Sequence, residues 1–288
     1  MLTKPAAFIC LFMFCLFSTQ AQDYVELGQL GYRYSFKTSP DNDTARSVSG
    51  ARVNVLLPLK ISGKTYLLPG FRFWQYNIEP GENLKWYLFQ FGIQTQLNDQ
   101  WSLQVLPMFR SGIYNQGSFG DGFQYGIMAS ATKQIRDGLA LGFGIYTNHE
   151  LFGQLFTPFM TIDWNITDRW RLFGSFPMFN TLSYSINKRW NTGINFIGLV
   201  TTFSSGETYI ERQSLDFSAF LEYYITPRIV AQARIGYPVG RKFEEYDKDD
   251  KVNFTLSLIR FGENRELLRT FDESQLFAAV HLFFRVKK

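Results

Sequence analysis

Hydrophobic residues recur at every second position along most of this chain, and that period restricts the fold more than any motif does. Leu139, Leu141, Phe143 and Ile145 interleave with Ala140, Gly142, Gly144 and Tyr146. Phe123, Tyr125, Ile127, Ala129 and Ala131 interleave with Gln124, Gly126, Met128, Ser130 and Thr132. Tyr87, Phe89, Phe91 and Ile93 alternate with Leu88, Gln90, Gly92 and Gln94. Successive side chains of a strand point to opposite faces, so each segment has one greasy face and one small or polar face. Helical periodicity is nearly absent, with only Glu263 to Thr270 reading as a short turn of helix. The chain reads as all-β.

Two environments can solvate a greasy strand face: a second sheet, or lipid. The N-terminus favours lipid. Lys4 precedes an apolar run from Ala6 to Phe17, followed by the small-x-small pattern Thr19-Gln20-Ala21. That is the form of a secretory signal peptide, cut after Ala21. The apolar run is shorter than the roughly 20 residues a spanning helix needs. Residues 1–21 are thus read as leader and 22–288 as one exported domain. Both cysteines, Cys10 and Cys15, leave with the leader, which excludes a disulfide framework or thiolate metal site in the mature chain. Aromatics make up 18% of the residues, yet no later stretch is apolar enough for a helical span. Alternating barrel strands average to such a composition. The net charge of +4 falls to +3 without Lys4 and is scattered, which gives no nucleic-acid footprint.

Turns point the same way. A short motif recurs as Asn98-Asp99-Gln100-Trp101, Thr167-Asp168-Arg169-Trp170, Asn187-Lys188-Arg189-Trp190 and Thr226-Pro227-Arg228-Ile229. Ser62-Gly63-Lys64 and Arg136-Asp137-Gly138 are equivalent tight turns. Longer polar segments lie between them, at Thr38 to Ser47, Glu79 to Asn83, Tyr114 to Gly122 and Ser204 to Glu211. Short turns at one end and longer loops at the other is the outer-membrane arrangement, with the short turns periplasmic. The tryptophans fall near strand ends: Trp101, Trp170 and Trp190 after short turns, Trp164 before one, Trp74 and Trp86 beside Glu79 to Asn83. They are expected at the headgroup level of a membrane.

Counting hairpins predicts an antiparallel up-and-down transmembrane β-barrel of fourteen strands, with twelve or sixteen as alternatives. Phe277 to Val286 closes it, and Gly240 to Ser274 forms a long external excursion containing a partial hairpin. Thr167 to Asn187 is tight for two full crossings. Asn187-Lys188-Arg189-Trp190, Ala233 to Pro238, Tyr246 to Lys251 and Leu256 to Gly262 resemble an outer-membrane β-barrel family of unknown function from Gram-negative bacteria. The resemblance covers most of the mature chain and is densest in its C-terminal hundred residues. It implies fold and location, and brings no catalytic or ligand residues.

Chemistry-bearing signals are sparse. Histidines number two, His149 and His281. A rim His149 paired with a serine would make a lipid hydrolase, but no spacing picks out the serine. Glu244 to Lys251 and Asp41-Asn42-Asp43 hold carboxylates enough for calcium. Interleaved lysines make the former a solvated loop instead, and Asp41-Asn42-Asp43 is read the same way. No metal site, cofactor motif or catalytic residue is expected. The lumen candidates are Gln90, Gln94, Gln96, Gln104, Arg110, Gln124, Gln134, Glu222, Gln232, Arg234, His281 and Arg285, each opposite the greasy parity. Glu222 and Arg234 are expected to pair across strands or meet water, because an unpaired charge in a dry interior is costly. The function expected is a passive pore or transporter for small solutes. The alternatives are a structural barrel with a closed lumen and, behind it, a lipid-modifying enzyme. The expected partners are outer-membrane lipid and a small solute.

Overall fold

The computed structural model describes residues 24–36, 47–272 and 275–287. The expected leader and Asp41-Asn42-Asp43 lie outside these residues. The strands are β1 (Tyr24–Ser35), β2 (Val48–Leu56), β3 (Leu59–Ser62), β4 (Thr65–Ile78), β5 (Glu82–Gln96), β6 (Trp101–Tyr114) and β7 (Phe123–Arg136). They continue as β8 (Leu139–Glu150), β9 (Gly153–Asn165), β10 (Trp170–Phe176), β11 (Phe179–Ser185), β12 (Trp190–Ser204), β13 (Thr208–Tyr224) and β14 (Ile229–Asp247). The last four are β15 (Phe254–Leu256), β16 (Ile259–Phe261), β17 (Arg269–Asp272) and β18 (Phe277–Lys287). No helix occurs among the described residues. Glu263 to Thr270 is extended chain ending in β17, because Arg265 and Arg269 are drawn to carboxylates on other strands.

Each strand pairs antiparallel with its neighbour, and β18 closes the circle by pairing with both β14 and β1. β3 completes the crossing that β2 begins, after an interruption at Leu57-Pro58, so the wall holds fourteen strands. An even count returns both described termini to one end, with Tyr24 opposite Lys287. The recurrent short turns lie at this terminal end and share one device. Asn98 and Asn187 each accept two backbone N–H bonds through Oδ1, from Gln100 and Trp101 and from Arg189 and Trp190. Thr167 and Thr226 do the same through Oγ1. These side chains mimic a backbone turn, which explains why the motif recurs with Asn or Thr first. Gly138 completes the β7–β8 turn with a φ of 73°, a left-handed value glycine adopts freely.

Alternation places the apolar parity outward. Phe143, Met160, Ile194 and Val280 are each 60% or more exposed, while Gln90, Gln124, Gln232 and Arg285 point inward and are buried. The polar interior and apolar exterior are the sidedness of a membrane barrel, the reverse of a soluble protein.

The opposite end departs from expectation in three ways. Its connections are not uniformly long: Glu79 to Gly81, Leu151-Phe152, Pro177-Met178 and Ser205 to Glu207 are as short as the terminal turns. The strands supply the height instead, with β13 of 17 and β14 of 19 residues. β10 and β11 have only 7 residues each, which leaves a notch in the wall and bares the upper edge of β9. The hairpin β15–β16 covers that edge, since β15 pairs parallel with Gln154 to Phe156. Covering an open edge satisfies its backbone groups. The excursion starts later than Gly240, because β14 runs to Asp247 and pairs there with β17. Thus Glu244 to Asp247 is strand rather than solvated loop, and Glu245 binds Arg269.

Phe143 stands mid-strand on β8 and faces outward. Phe143→Arg is expected to cost about 2–4 kcal/mol if that face meets hydrocarbon. Urea unfolding in lipid vesicles measures it.

Candidate functional site: the lumen

Most of the inward residues gather into two zones, a sealed outer zone and a polar chamber near the terminal end. The seal forms because the upper ends of β12, β13 and β14 fold across the mouth. Ser204 of β12 reaches Ile113 of β6 as a parallel bridge. Gly112 permits this approach, since a Cβ there would stand 1.9 Å from the Thr202 carbonyl oxygen. Phe203, Ile210, Phe243 and Phe271 then pack on Trp74, Tyr76, Ile78, Leu84, Trp86 and Leu88 of β4 and β5. A neighbouring cluster joins Phe152, Leu155, Tyr209, Tyr246 and Val252.

This packing corrects the expectation for two tryptophans. Trp74 and Trp86 face inward, 7% and 3% exposed, with rings stacked 4.4 Å apart. Their even parity is that of Gln90, so the alternation rule places them inside. Their outward neighbours Gln75, Asn77 and Lys85 are polar, as suits wall that rises beyond the lipid. The other four face outward near the terminal end. Trp170 and Trp190 pack against Tyr184 and Tyr223 with tilted rings 4.7 Å apart, Trp101 lies by Lys133, and Trp164 precedes the Thr167 turn.

Polar groups lock the seal. Arg110 pairs with Glu150, donates from Nε to Gln124 at 2.8 Å and from Nη1 to Tyr146 at 3.1 Å. Thr202 of β12 donates to Glu150 at 3.0 Å and its carbonyl accepts from Gln124 at 3.2 Å. The same network therefore holds both the barrel wall and the strand that crosses it. On the excursion, Arg265 donates to Glu211 at 3.0 Å and to Tyr209 at 2.9 Å, while Arg260 also pairs with Glu211. Arg265 beside Glu263 holds that carboxyl below the usual carboxylate range. Arg269 ties the excursion to Glu82 of β5 at 2.7 Å, to Tyr114 of β6 at 2.8 Å and to Glu245 of β14 at 2.9 Å. Arg260, Arg265, Arg269 and the Arg33–Asp216–Arg241 set, at 2.7 and 2.6 Å, were not singled out from sequence. Their partners are strands apart, and only their inward parity could have marked them.

The chamber has a volume of about 530 Å³ and lies between β1, β2, β4, β5, β10 to β14 and β18. Gln90, Glu222, Gln232, Arg234 and Arg285 line it. Glu222 accepts two bonds from Arg285, at 2.8 and 3.0 Å, and one from Gln232 at 2.9 Å. Arg234 meets no carboxylate; it donates to Asn195 at 3.3 Å and to Gln232 at 2.9 Å. His281 sits just above, with Nδ1 3.1 Å from the Gln232 oxygen. Gln94, Gln96 and Gln134 line a second recess of about 460 Å³ near the terminal mouth, beside Lys60 and Lys64. Gln104 is inward and half-buried opposite Gln94. His149 lies on the outer face, stacked on Tyr125.

Residues 87–264 match the family described as Domain of unknown function (DUF6268), over more than half of the chain. The chain belongs to that family. None of the curated proteins matches it. Among solved structures, this DUF6268 protein is similar to the NanC porin, with a TM-score of 0.41, 11% identity, and coverage of 90% of this chain and 100% of that one. It is similar to the COG4313 outer membrane channel from Pseudomonas putida F1, with a TM-score of 0.45, 9% identity and coverage of 93% and 98%. The CymD monoaromatic hydrocarbon channel gives 0.43, 9%, and 93% and 89%. Likeness at this level describes barrel shape and bears on neither cargo nor mechanism.

Removing one partner of a buried ion pair strands the other charge and costs about 3–5 kcal/mol. Glu150→Ala is expected to lower stability by that order, measured by denaturant unfolding in detergent. Arg110→Met with Glu150→Leu is expected to recover most of the loss.

Proposed function

We propose that this DUF6268 protein is an outer-membrane channel for small solutes whose outer end is shut. The reading rests on one observation: opposite walls meet at one end, β12 against β6, while the other end keeps a polar-lined chamber. A purely structural barrel has no need of a polar chamber of ligand size, which runs from about 300 to 1,000 Å³. The apolar outer belt and the aromatic pairs Trp170–Tyr184 and Trp190–Tyr223 support seating in a bilayer. With the sequence's leader pattern, they support export and an outer-membrane site, the terminal end facing the periplasm. Lipid is then the standing partner and a small solute the transient one.

The ion pairs of the seal give the closed-lumen reading its support, since they fix the excursion at several points. The lipid-enzyme reading gains nothing from the geometry: among the described residues, His149 makes no hydrogen bond to a serine or carboxylate.

Conductance decides between a channel and a sealed barrel. Replacing residues 249–266 by Gly-Gly removes Arg260 and Arg265, and Phe203→Ser with Arg269→Ala in the same shortened protein frees β12 and β17 from β4 to β6, while the fourteen strands of the wall remain. In planar bilayers the intact protein is expected to stay mostly silent and the shortened one to show discrete open steps. Heat-modifiable gel mobility confirms folding of both. A folded, shortened barrel without conductance would rule out the channel.

A further inference from the structure

The chamber carries an excess of positive charge that its own carboxylates do not neutralise. Five arginines line it, Arg52, Arg72, Arg171, Arg234 and Arg285, against Glu26 and Glu222. Two of the five are satisfied by acids. Arg285 pairs with Glu222 at 2.8 Å and with Glu26 at 3.8 Å, and Arg171 grips Asp163 through two bonds of 2.8 Å. The other three meet no carboxylate among the described residues. Arg234 binds only the neutral amides of Asn195 and Gln232, and its Nε is buried without a partner. Arg52 lies over the Trp74 ring at 4.7 Å. Arg72 stands open to the chamber.

These three arise from one wall. β14 neighbours β18, β18 neighbours β1, and β1 neighbours β2, which pairs with β4. The facing lining from β10 to β12 adds carbon surface, with Phe173, Met178, Phe179 and Ile197 set among polar residues such as Thr181, Ser183 and Asn195. Guanidinium groups in a half-enclosed space, away from bulk water, attract an oxyanion more strongly than they would on an open surface. Their planar donors also match carboxylate and phosphate oxygens in pairs.

We propose that the chamber binds a small organic oxyanion, its carboxylate or phosphate held by Arg52, Arg72 and Arg234 and its apolar body laid on Phe173, Met178 and Ile197. This rests on the channel reading for its place in transport, but binding itself needs only the terminal mouth to be open. Arg52 and Arg234 also line a 40 Å³ pocket that leads on to Arg33, Asp216 and His281. The oxyanion thus lies on the line from the chamber towards the seal.

Calorimetric titration of the full barrel in detergent tests this, with benzoate, phenyl phosphate, inorganic phosphate, benzamide and benzylammonium as probes. Benzoate or phenyl phosphate is expected to bind, and the ratio of the two names the head group. Inorganic phosphate is expected to bind at least tenfold more weakly than phenyl phosphate, because it lacks the apolar body. Benzamide and benzylammonium are expected not to bind. Arg52→Gln with Arg72→Gln is expected to weaken oxyanion binding at least tenfold, and the Lys pair at the same positions to retain part of it. Equal binding of benzamide, or unchanged affinity in a folded Gln pair, would overturn the proposal. Oxyanion binding by a barrel that stays silent after shortening would sink the channel and leave the site standing; conductance without binding would do the reverse.

Discussion

Backbone hydrogen bonding in a medium without water is the constraint from which the architecture follows. Each unpaired N–H or C=O in hydrocarbon costs several kcal/mol, so a sheet there must close on itself. Closure by β18 between β14 and β1 does this, with an unbroken register from Gly28 to Ser35 against Phe284 to Phe277. An even strand number, described termini at one end and side chains of alternating sense are all consequences. Even the excursion obeys the rule: where β10 and β11 stop short, β15 takes up the free edge of β9.

The same alternation has two meanings along one strand. Within the lipid belt the apolar parity is outward. Beyond it, on β4 and β5, the outward face turns polar and the inward face apolar, and Trp74, Trp86 and Leu88 find Phe203 and Phe243 rather than lipid. A barrel whose opposing walls are both apolar at one end can collapse there by the ordinary hydrophobic effect. The ion pairs within that collapse add little net stability by themselves, because desolvation offsets their attraction. What they supply is registry. Arg269 meets Glu82, Tyr114 and Glu245 only when β17 lies in one place, and Arg110 and Thr202 share Glu150 only when β12 crosses at one height.

The wall was legible in the sequence because its information is local. Period-two alternation and the Asn or Thr turn motif depend on residues a few positions apart, and they gave the barrel, its fourteen strands and its closing strand. The inward parity likewise named Gln124, Glu222, Gln232 and Arg234. What could not be read is where strands meet across the lumen. Thr202 and Gly112 are 90 positions apart, and nothing in either neighbourhood announces the other. Trp74 and Trp86 were misplaced because position near a strand end outweighed parity, and parity was the stronger rule. The basic chamber escaped notice because Arg52, Arg72 and Arg171 are dispersed singly along three strands, each looking like an ordinary polar residue.

The central claim is that the outward parity is bathed in lipid while Trp74 is enclosed within the lumen. Two single-tryptophan proteins in vesicles of chain-brominated lipid test it most directly, one retaining Trp74 and one carrying Phe143→Trp alone. Bromine quenches an indole only on contact. The account predicts strong quenching for the residue-143 indole and little for Trp74. Equal quenching of the two, or quenching confined to Trp74, would contradict it.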